Sequence, residues 1–318
     1  MSVWEPVSYC EAMDLRQLQA LVAVADNHSF SAAARALHTV QSNVSSHVAR
    51  LEKELNVTLI DRSMGRPTRE GEVVVARARR IQSEIEALEA DVASMTSRIA
   101  GNVRFGTIGT TGRWVTPELL DRMAEAHPGI HLVVTEGTTS GLLPQLISGQ
   151  LHLALVNLPL HDPDVSVRPL FEEDLVVVAP SSHPLSTFEG PVSFTELERF
   201  EFLLGPAGST LRNDIDAAAA LVGTHLKARA ELDGIRLTAT MAFQGYGPAI
   251  VPATAIPSWA THGDWVALEI TERPRRRVGL AIRRRGMLSV PAKAALETLQ
   301  GVVEDNLGVQ PGIHAVGG

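Results

Sequence analysis

The sequence holds one cysteine, Cys10, among 318 residues. A lone thiol can form no disulfide within the chain and no cysteine metal cluster. That excludes a two-cysteine redox switch and fits a reducing compartment. No apolar run is long enough to span a bilayer, and the N-terminus carries no basic-then-apolar export signal. The expectation is therefore a cytoplasmic chain with no membrane partner. The eleven histidines are scattered, with no HExxH pair and no carboxylate–histidine grouping. His152 reads as structural, and Ser181-Ser182-His183 is a turn before Pro184 rather than part of a triad. The glycines of Gly106-Thr107-Ile108-Gly109-Thr110-Thr111-Gly112 are spaced G-x-x-G-x-x-G, which departs from the dinucleotide fingerprint, and the acid that fingerprint needs about 20 residues on is missing. No catalytic constellation, metal site or cofactor is expected.

A basic surplus is also absent. The net charge is −8, with 11 Lys and Arg against 13 Asp and Glu over residues 1–100. Locally the balance reverses. Between 59 and 80, Arg62, Arg66, Arg69, Arg77, Arg79 and Arg80 face only Asp61, Glu70 and Glu72. A small basic patch suffices for nucleic acid when a dimer doubles it, and the acidic remainder discourages indiscriminate binding.

The stretch from Ser29 to Glu52 reads as two short helices around a tight turn. Ser29 or Ser31 can cap the first, and Ala33, Ala34 and Leu37 pack inward. The second carries Val40, Val44, Val48, Leu51 and Leu55 as one apolar stripe at the helical period. Opposite the stripe lie Ser42, Ser46 and Ala49, flanked by Asn43, Ser45 and Arg50, with Gln41 nearer the seam. Small hydroxyls and amides approach a surface closely, and Gln, Asn, Ser and Arg suit base edges in a major groove. On this helix alone an ordinary solvated face reads as well. An earlier helix has its apolar face at Leu15, Leu18, Leu21, Val22 and Ala25, and Asp26-Asn27-His28 ends it. After a short strand at Leu59-Ile60, the turn from Asp61 to Arg69 exposes Arg62, Arg66 and Arg69 as a wing whose arginines would lie along phosphates.

From Glu72 to Ile99 there is no Gly or Pro. Val74, Ala78, Ile81, Ile85, Leu88, Val92, Met95 and Ile99 repeat at alternating spacings of four and three. That heptad seam predicts a linker helix pairing with a second copy. Past Gly101, strand-length apolar runs alternate with helical patterns, which argues for α/β sheets. The strands are 103–108, 131–135, 153–156, 175–179, 201–204, 227–231 and 278–282. Arg275-Arg276-Arg277 and Arg283-Arg284-Arg285 read as strand ends or rim charges, and 290–307 as a closing amphipathic helix. Ligands collect at strand ends where helices begin. Such ends carry Thr110-Thr111, Thr138-Thr139, Asn157, Ser209-Thr210 and Gly247. They suit a small polar metabolite, for example a carboxylate, although each Ser or Thr alone reads equally as a helix cap.

From Met13 to Gly71 the chain resembles the DNA-binding domain of the LysR-type transcriptional regulators. The carrying residues are Asp14 to Leu18, Val22 to Ala25, Ser29 to Ala34, Leu37 to Ser45, Arg50-Leu51-Glu52, Leu55, Leu59, Arg62 and Thr68 to Gly71. Ser46-His47 stand where the family often has a basic residue. The likeness runs more loosely to about Leu307. It implies an all-α winged helix-turn-helix at 13–71, contacting double-stranded DNA through Ser31, Gln41, Ser42, Asn43, Ser45, Ser46, His47, Arg50, Arg62 and Arg66. A linker and dimerisation helix would take 72–100. A two-lobed, periplasmic-binding-protein-like effector domain would take 101–307, with lobe one at 101–175 and 265–307 and lobe two at 176–264. Residues 1–12 read as a flexible extension, with Met13 an alternative start, and 308–318 as a tail. The implied function is a ligand-responsive regulator that reads an interrupted palindrome as a homodimer or homotetramer, with RNA polymerase as a further partner. The alternative is an α/β nucleotide- or metabolite-processing enzyme with a helical dimerisation head. A solute-binding protein is a third reading, opposed by the N-terminal head and the missing export signal.

Overall fold

A computed structural model describes residues 13–96, 99–256 and 263–317. They fall into two compact units. One runs to Glu89 and includes Ser148–Gln150; the other holds Ala90–Ile147 and the chain from Leu151 on. The expected extension 1–12 lies outside the described residues.

In the first unit, α1 (Leu15–Asn27) starts with a reciprocal cap. Asp14 accepts from the Arg16 N–H and the Gln17 side chain accepts from the Asp14 N–H, each at 3.0 Å. His28, at φ 50°, ends the helix. Of the two serines that could cap α2 (Phe30–Ala36), Ser29 does so, accepting from the Ala32 N–H at 3.3 Å. Helix α3 (Gln41–Leu55) follows. Leu18, Leu21, Val24, Ala33, Val44, Val48 and Leu51 bury each other between the three helices. The apolar stripe of α3 is shorter than its spacing suggests. Val40 is 59% exposed and Leu55 36%, because both stand at the ends of the helix beyond the edge of this core. Leu37 is exposed as well.

Strands β1 (Ile60–Asp61) and β2 (Arg66–Pro67) pair antiparallel and form the wing. Their turn needs Gly65: its φ is 64°, and a Cβ there would stand 2.1 Å from the His28 carbonyl oxygen. Helix α4 (Arg69–Thr96) begins three residues before Glu72. The reason is Thr68, whose Oγ1 accepts from the Gly71 N–H at 3.0 Å and caps the first turn. Val75 and Ala78 close the core from α4. Farther along the seam Ile81, Leu88, Val92 and Met95 are exposed.

The second unit opens with β3 (Ala100–Thr107), α5 (Gly109–Ala126), β4 (Gly129–Glu136), α6 (Thr139–Ser148) and β5 (Leu153–Leu158). A 16-residue strand follows, β6 (Val165–Pro180). Then come α7 (Phe194–Leu197), β7 (Glu201–Leu204), α8 (Thr210–Leu221), β8 (Lys227–Glu231), α9 (Ile235–Phe243) and β9 (Ala249–Pro252). The chain closes with β10 (Trp265–Glu269), β11 (Arg275–Arg283), α10 (Val290–Asn306) and β12 (Ile313–His314). The strand order is β4-β3-β5-β11-β6-β9-β7-β8, with β10 and β12 also on β6. Residues 165–174 of β6 pair with β11, and 175–178 pair with β9. One strand thus belongs to two sheets, each with its own core. Phe105, Leu119, Leu142, Phe171 and Leu299 centre the first; Leu185, Phe194, Phe202 and Ile215 lie in the second.

Three expectations change. Only 175–179 read as a strand, because Pro169 and Glu172-Glu173-Asp174 mask the first half of β6. Pro169 sits at a register shift opposite Gly279, where the missing N–H interrupts the ladder least. Residues 265–269 pair with 176–180 of β6, so they lie in the second sheet, and the return to the first comes at Arg275. The segment after Leu307 is not a loose tail: β12 pairs with Glu172 and Glu173, and Ile313 is buried in the first core. Among the described residues no helix is long and apolar enough to cross a membrane, and no group of acidic, His or Cys side chains could hold a metal ion.

Candidate functional site

The head of α3 is organised by its own hydrogen bonds. Ser31 Oγ donates to Gln41 Oε1 at 2.7 Å, and Asn43 Nδ2 donates to Thr39 Oγ1 at 3.0 Å. Ser31, Gln41, Ser42, Asn43, Ser46 and Arg50 are exposed together, over the buried Val44, Val48 and Leu51. Ser45 and His47 are half-buried. Ser45 Oγ accepts from Arg62 Nη1 at 3.4 Å, and His47 Nδ1 is buried with no partner. These two sit off the open face. Glu52 fixes the wing to α3, since its Oε1 accepts from the Leu59 and Ile60 N–H groups at 2.8 and 3.2 Å. Its other oxygen holds Arg62 at 3.2 Å, and the Arg62 guanidinium lies 5.5 Å over the Phe30 ring. Arg66 is exposed on β2. Six polar side chains of a reading surface are thereby presented on a three-helix base, with the arginines of the wing beside them.

The second unit holds a buried charge pair at the strand its sheets share. Arg276 of β11 and Glu173 of β6 are 3% and 0% exposed, with nitrogen and oxygen 2.6 Å apart. The same guanidinium donates to Thr110 Oγ1 at 2.7 Å, to Thr111 Oγ1 at 3.0 Å and to Asn157 Oδ1 at 3.5 Å. Glu173 Oε1 also accepts from the Thr254 N–H and hydroxyl, at 2.8 and 2.6 Å. Every Glu173 oxygen is therefore satisfied, as a buried carboxylate requires. Thr254 follows β9 of the second sheet, so the carboxylate ties both sheets to one point.

Around this hub lie groups of mixed sign. Burial holds the Asp214 carboxyl up to about 6, although Arg276 and Arg277 pull it down. Burial, then the charge of Arg236, lowers Arg113, which donates to the Thr254 carbonyl. Arg236 in turn pairs with Glu136 at 3.0 Å, joining α9 to the end of β4.

The expected effector residues divide. Thr110, Thr111 and Asn157 converge on Arg276. Thr139 Oγ1 accepts from the Asn157 N–H at 3.0 Å, which ties the head of α6 to the end of β5. Thr138 caps its own helix, accepting from the Gly141 N–H at 3.2 Å. Ser209 and Thr210 open α8, the helix that carries Asp214. Gly247, at φ 151°, packs against Leu203 and Arg229 instead. The sequence reading missed Arg276, Glu173, Thr254, Arg113 and Asp214. A signal existed for the first two. In a strand, side chains alternate between faces, so the middle of Arg275-Arg276-Arg277 points opposite to its neighbours. The acidic run 172–174 sits across from it in reverse order, with Arg276 facing Glu173.

Comparison with known proteins matches both units. The family model described as LysR substrate binding domain covers residues 96–304, and that of the bacterial regulatory helix-turn-helix protein, lysR family, covers 15–72. A Mycobacterium avium protein named a probable hydrogen peroxide-inducible genes activator is 34% identical over 274 residues, spanning 84% of this chain and 86% of that one. Among solved structures, a full-length OxyR variant from Pseudomonas aeruginosa is 26% identical with a TM-score of 0.72, covering 92% of this chain and 94% of that one. Full-length CbnR complexed with its target DNA shares the fold, at 20% identity and a TM-score of 0.68 over 92% of this chain and 99% of that one.

Proposed function

The chain belongs to the LysR family of bacterial regulators, and from that premise we propose how a ligand-responsive, DNA-binding transcriptional regulator is divided among its residues. It is a regulator and not an enzyme, so the nucleotide-processing alternative falls. The exposed face Ser31, Gln41, Ser42, Asn43, Ser46 and Arg50 reads base edges, while Arg62 and Arg66 lie along phosphates. The exposed seam of α4 pairs with a second copy, so that two heads read an interrupted palindrome. A homotetramer and a contact with RNA polymerase complete the working assembly. Supporting the first part is the open polar face of α3 over the buried Val44, Val48 and Leu51, beside an arginine-bearing wing.

The effector is a small carboxylate held near Arg113. Burial, and to a lesser degree the charge of Arg236, disfavours the Arg113 guanidinium there; Arg236 already has Glu136 at 3.0 Å, and an anion beside Arg113 would offset the cost of its burial. The M. avium relative's name refers to hydrogen peroxide. A disulfide switch within one chain needs two cysteines, and this sequence has one. Sensing here runs through ligand occupancy that favours one arrangement of the two lobes.

The deciding experiment is recovery of genomic DNA fragments by the purified full chain at physiological salt, followed by sequencing. Enrichment of a few sites that share an interrupted palindrome supports the reading. Uniform recovery of fragments refutes sequence reading by this head.

A further inference from the structure

A strand that changes sheets leaves backbone groups over at the crossing. Residues 165–174 of β6 pair with β11 on one edge, and 175–178 pair with β9 on the other. At 172–174 the edge that β9 does not reach would stand open, at the place where the two sheets could turn against each other. Backbone donors and acceptors on such an edge must be met by water or by another strand.

That edge is filled by β12. Ile313 and His314 pair antiparallel with Glu173 and Glu172, and the Asp174 N–H donates to the Gly312 carbonyl at 2.8 Å. Cross-strand neighbours share a face, so Ile313 flanks Glu173 on the side away from Arg276. The buried charge pair is thus walled by an isoleucine that is itself 1% exposed. His314 Nε2 and Asp174 Oδ2 lie 2.7 Å apart. The segment also touches the second sheet. A Cβ on Gly312 would stand 2.5 Å from that of Ala253, the residue after β9, and the φ of 74° at Gly312 equally requires glycine. At its near end the loop is tied to α10, where the Val309 and Gln310 N–H groups donate to the Asn306 carbonyl at 3.1 and 3.0 Å.

We propose that residues 308–314 are a splint across the crossing strand, which holds the two sheets in one setting; when β12 leaves β6, the sheets can turn about residues 172–175. The inference goes beyond the functional reading above and does not depend on which molecule the effector domain binds. With β12 seated, a turn of the second sheet drives Ala253 against Gly312 or breaks the bond from Asp174. With β12 gone, neither obstacle stands, and water reaches the flank of Glu173.

The test uses the full chain with Cys10→Ser and spin labels at Glu297→Cys on α10 and Ala217→Cys on α8, exposed sites on helices of the first and second core. Labelled chain is diluted with unlabelled chain, so that double electron–electron resonance reads the distance within one chain. The same labels are placed in a chain ended after Leu307 and in Gly312→Val, which keeps the segment but cannot seat β12. The wild-type splint gives one narrow distance. The shortened chain gives a distribution roughly twice as wide, or a second distance. Its peptides covering 171–178 exchange amide hydrogen about tenfold faster, as loss of about one net hydrogen bond implies. Peptides of β3 and of the first two turns of α10 keep wild-type exchange, which separates a splint at the crossing from general support of the first core. A wild-type distance in the shortened chain overturns the proposal, as does acceleration spread evenly over β3 and α10. If the shortened chain lacks the native circular dichroism spectrum, Gly312→Val decides on the same two readings.

Discussion

Arg276 and Glu173 face each other across the register of β11 and β6, and both are sealed from solvent in a salt bridge of 2.6 Å. Removing one member leaves the other charge buried and uncompensated, at about 3–5 kcal/mol. Arg276→Met or Glu173→Gln should therefore lower Tm by on the order of 10 °C in a thermal melt. The double variant should lose less than the sum of the two, since it leaves no orphan charge. Strict additivity would show that the pair does not act as a unit.

Asp214 gives a pH signature. Its folded value of about 6 lies above the ordinary 3.8, so the folded chain binds this proton more tightly than the unfolded one. The sign follows: the contribution is fully present below pH 4 and is lost as pH rises through about 6. Asp214→Asn removes the cost of burying the charge. It should raise stability by roughly 1 kcal/mol at pH 7.5 and leave it nearly unchanged at pH 4, read from denaturant melts at both values. A gain of the same size at both would mean that the carboxyl does not titrate where its burial places it.

How far the fold and these groups were readable from the sequence differs by region. The helical head was legible because its burial is periodic: Val44, Val48 and Leu51 are apolar and the reading face is small and polar. The ends of that stripe misled, since a helical wheel does not know where a core stops. Thr110, Thr111 and Asn157 stand out in the sequence through chemistry common at strand ends, and the structure brings them together at Arg276. Their partner Arg276 was read as a rim charge, because composition makes an arginine triplet look solvated. Only the pleat of the strand and the facing acidic run say otherwise. Asp214 carries no sequence signal; its environment is assembled from β11, far away along the chain.

The wing should contribute charge and not sequence. Arg66→Ala should weaken operator binding across sequences and reduce the slope of log affinity against log salt by about 1. Ser46→Ala should leave the slope and change which bases are preferred. An unchanged slope for Arg66→Ala would place that arginine away from phosphate.

Leu88 is 64% exposed on α4, so replacing it costs the isolated chain little. Leu88→Asp should lower the particle mass seen by light scattering and weaken binding to a two-half-site operator, while single half-site affinity is kept. An unchanged mass would remove the seam as an interface.

The sharing of β6 between two sheets limits which motions are open to the effector domain. A strand hydrogen-bonded along both halves can twist about its length, but it cannot let one sheet slip past the other without breaking its ladder. The pivot is also pinned: Glu173 grips Arg276 on one side and Thr254 on the other, and His314 of β12 reaches Asp174 at 2.7 Å. Rotation about such a pin must pass from one set of polar contacts to another. An element pinned in this way has discrete polar pairings to choose between and no continuous range. A ligand that favours one arrangement shifts the population of the two by its difference in affinity for them, while each molecule stands in one arrangement or the other.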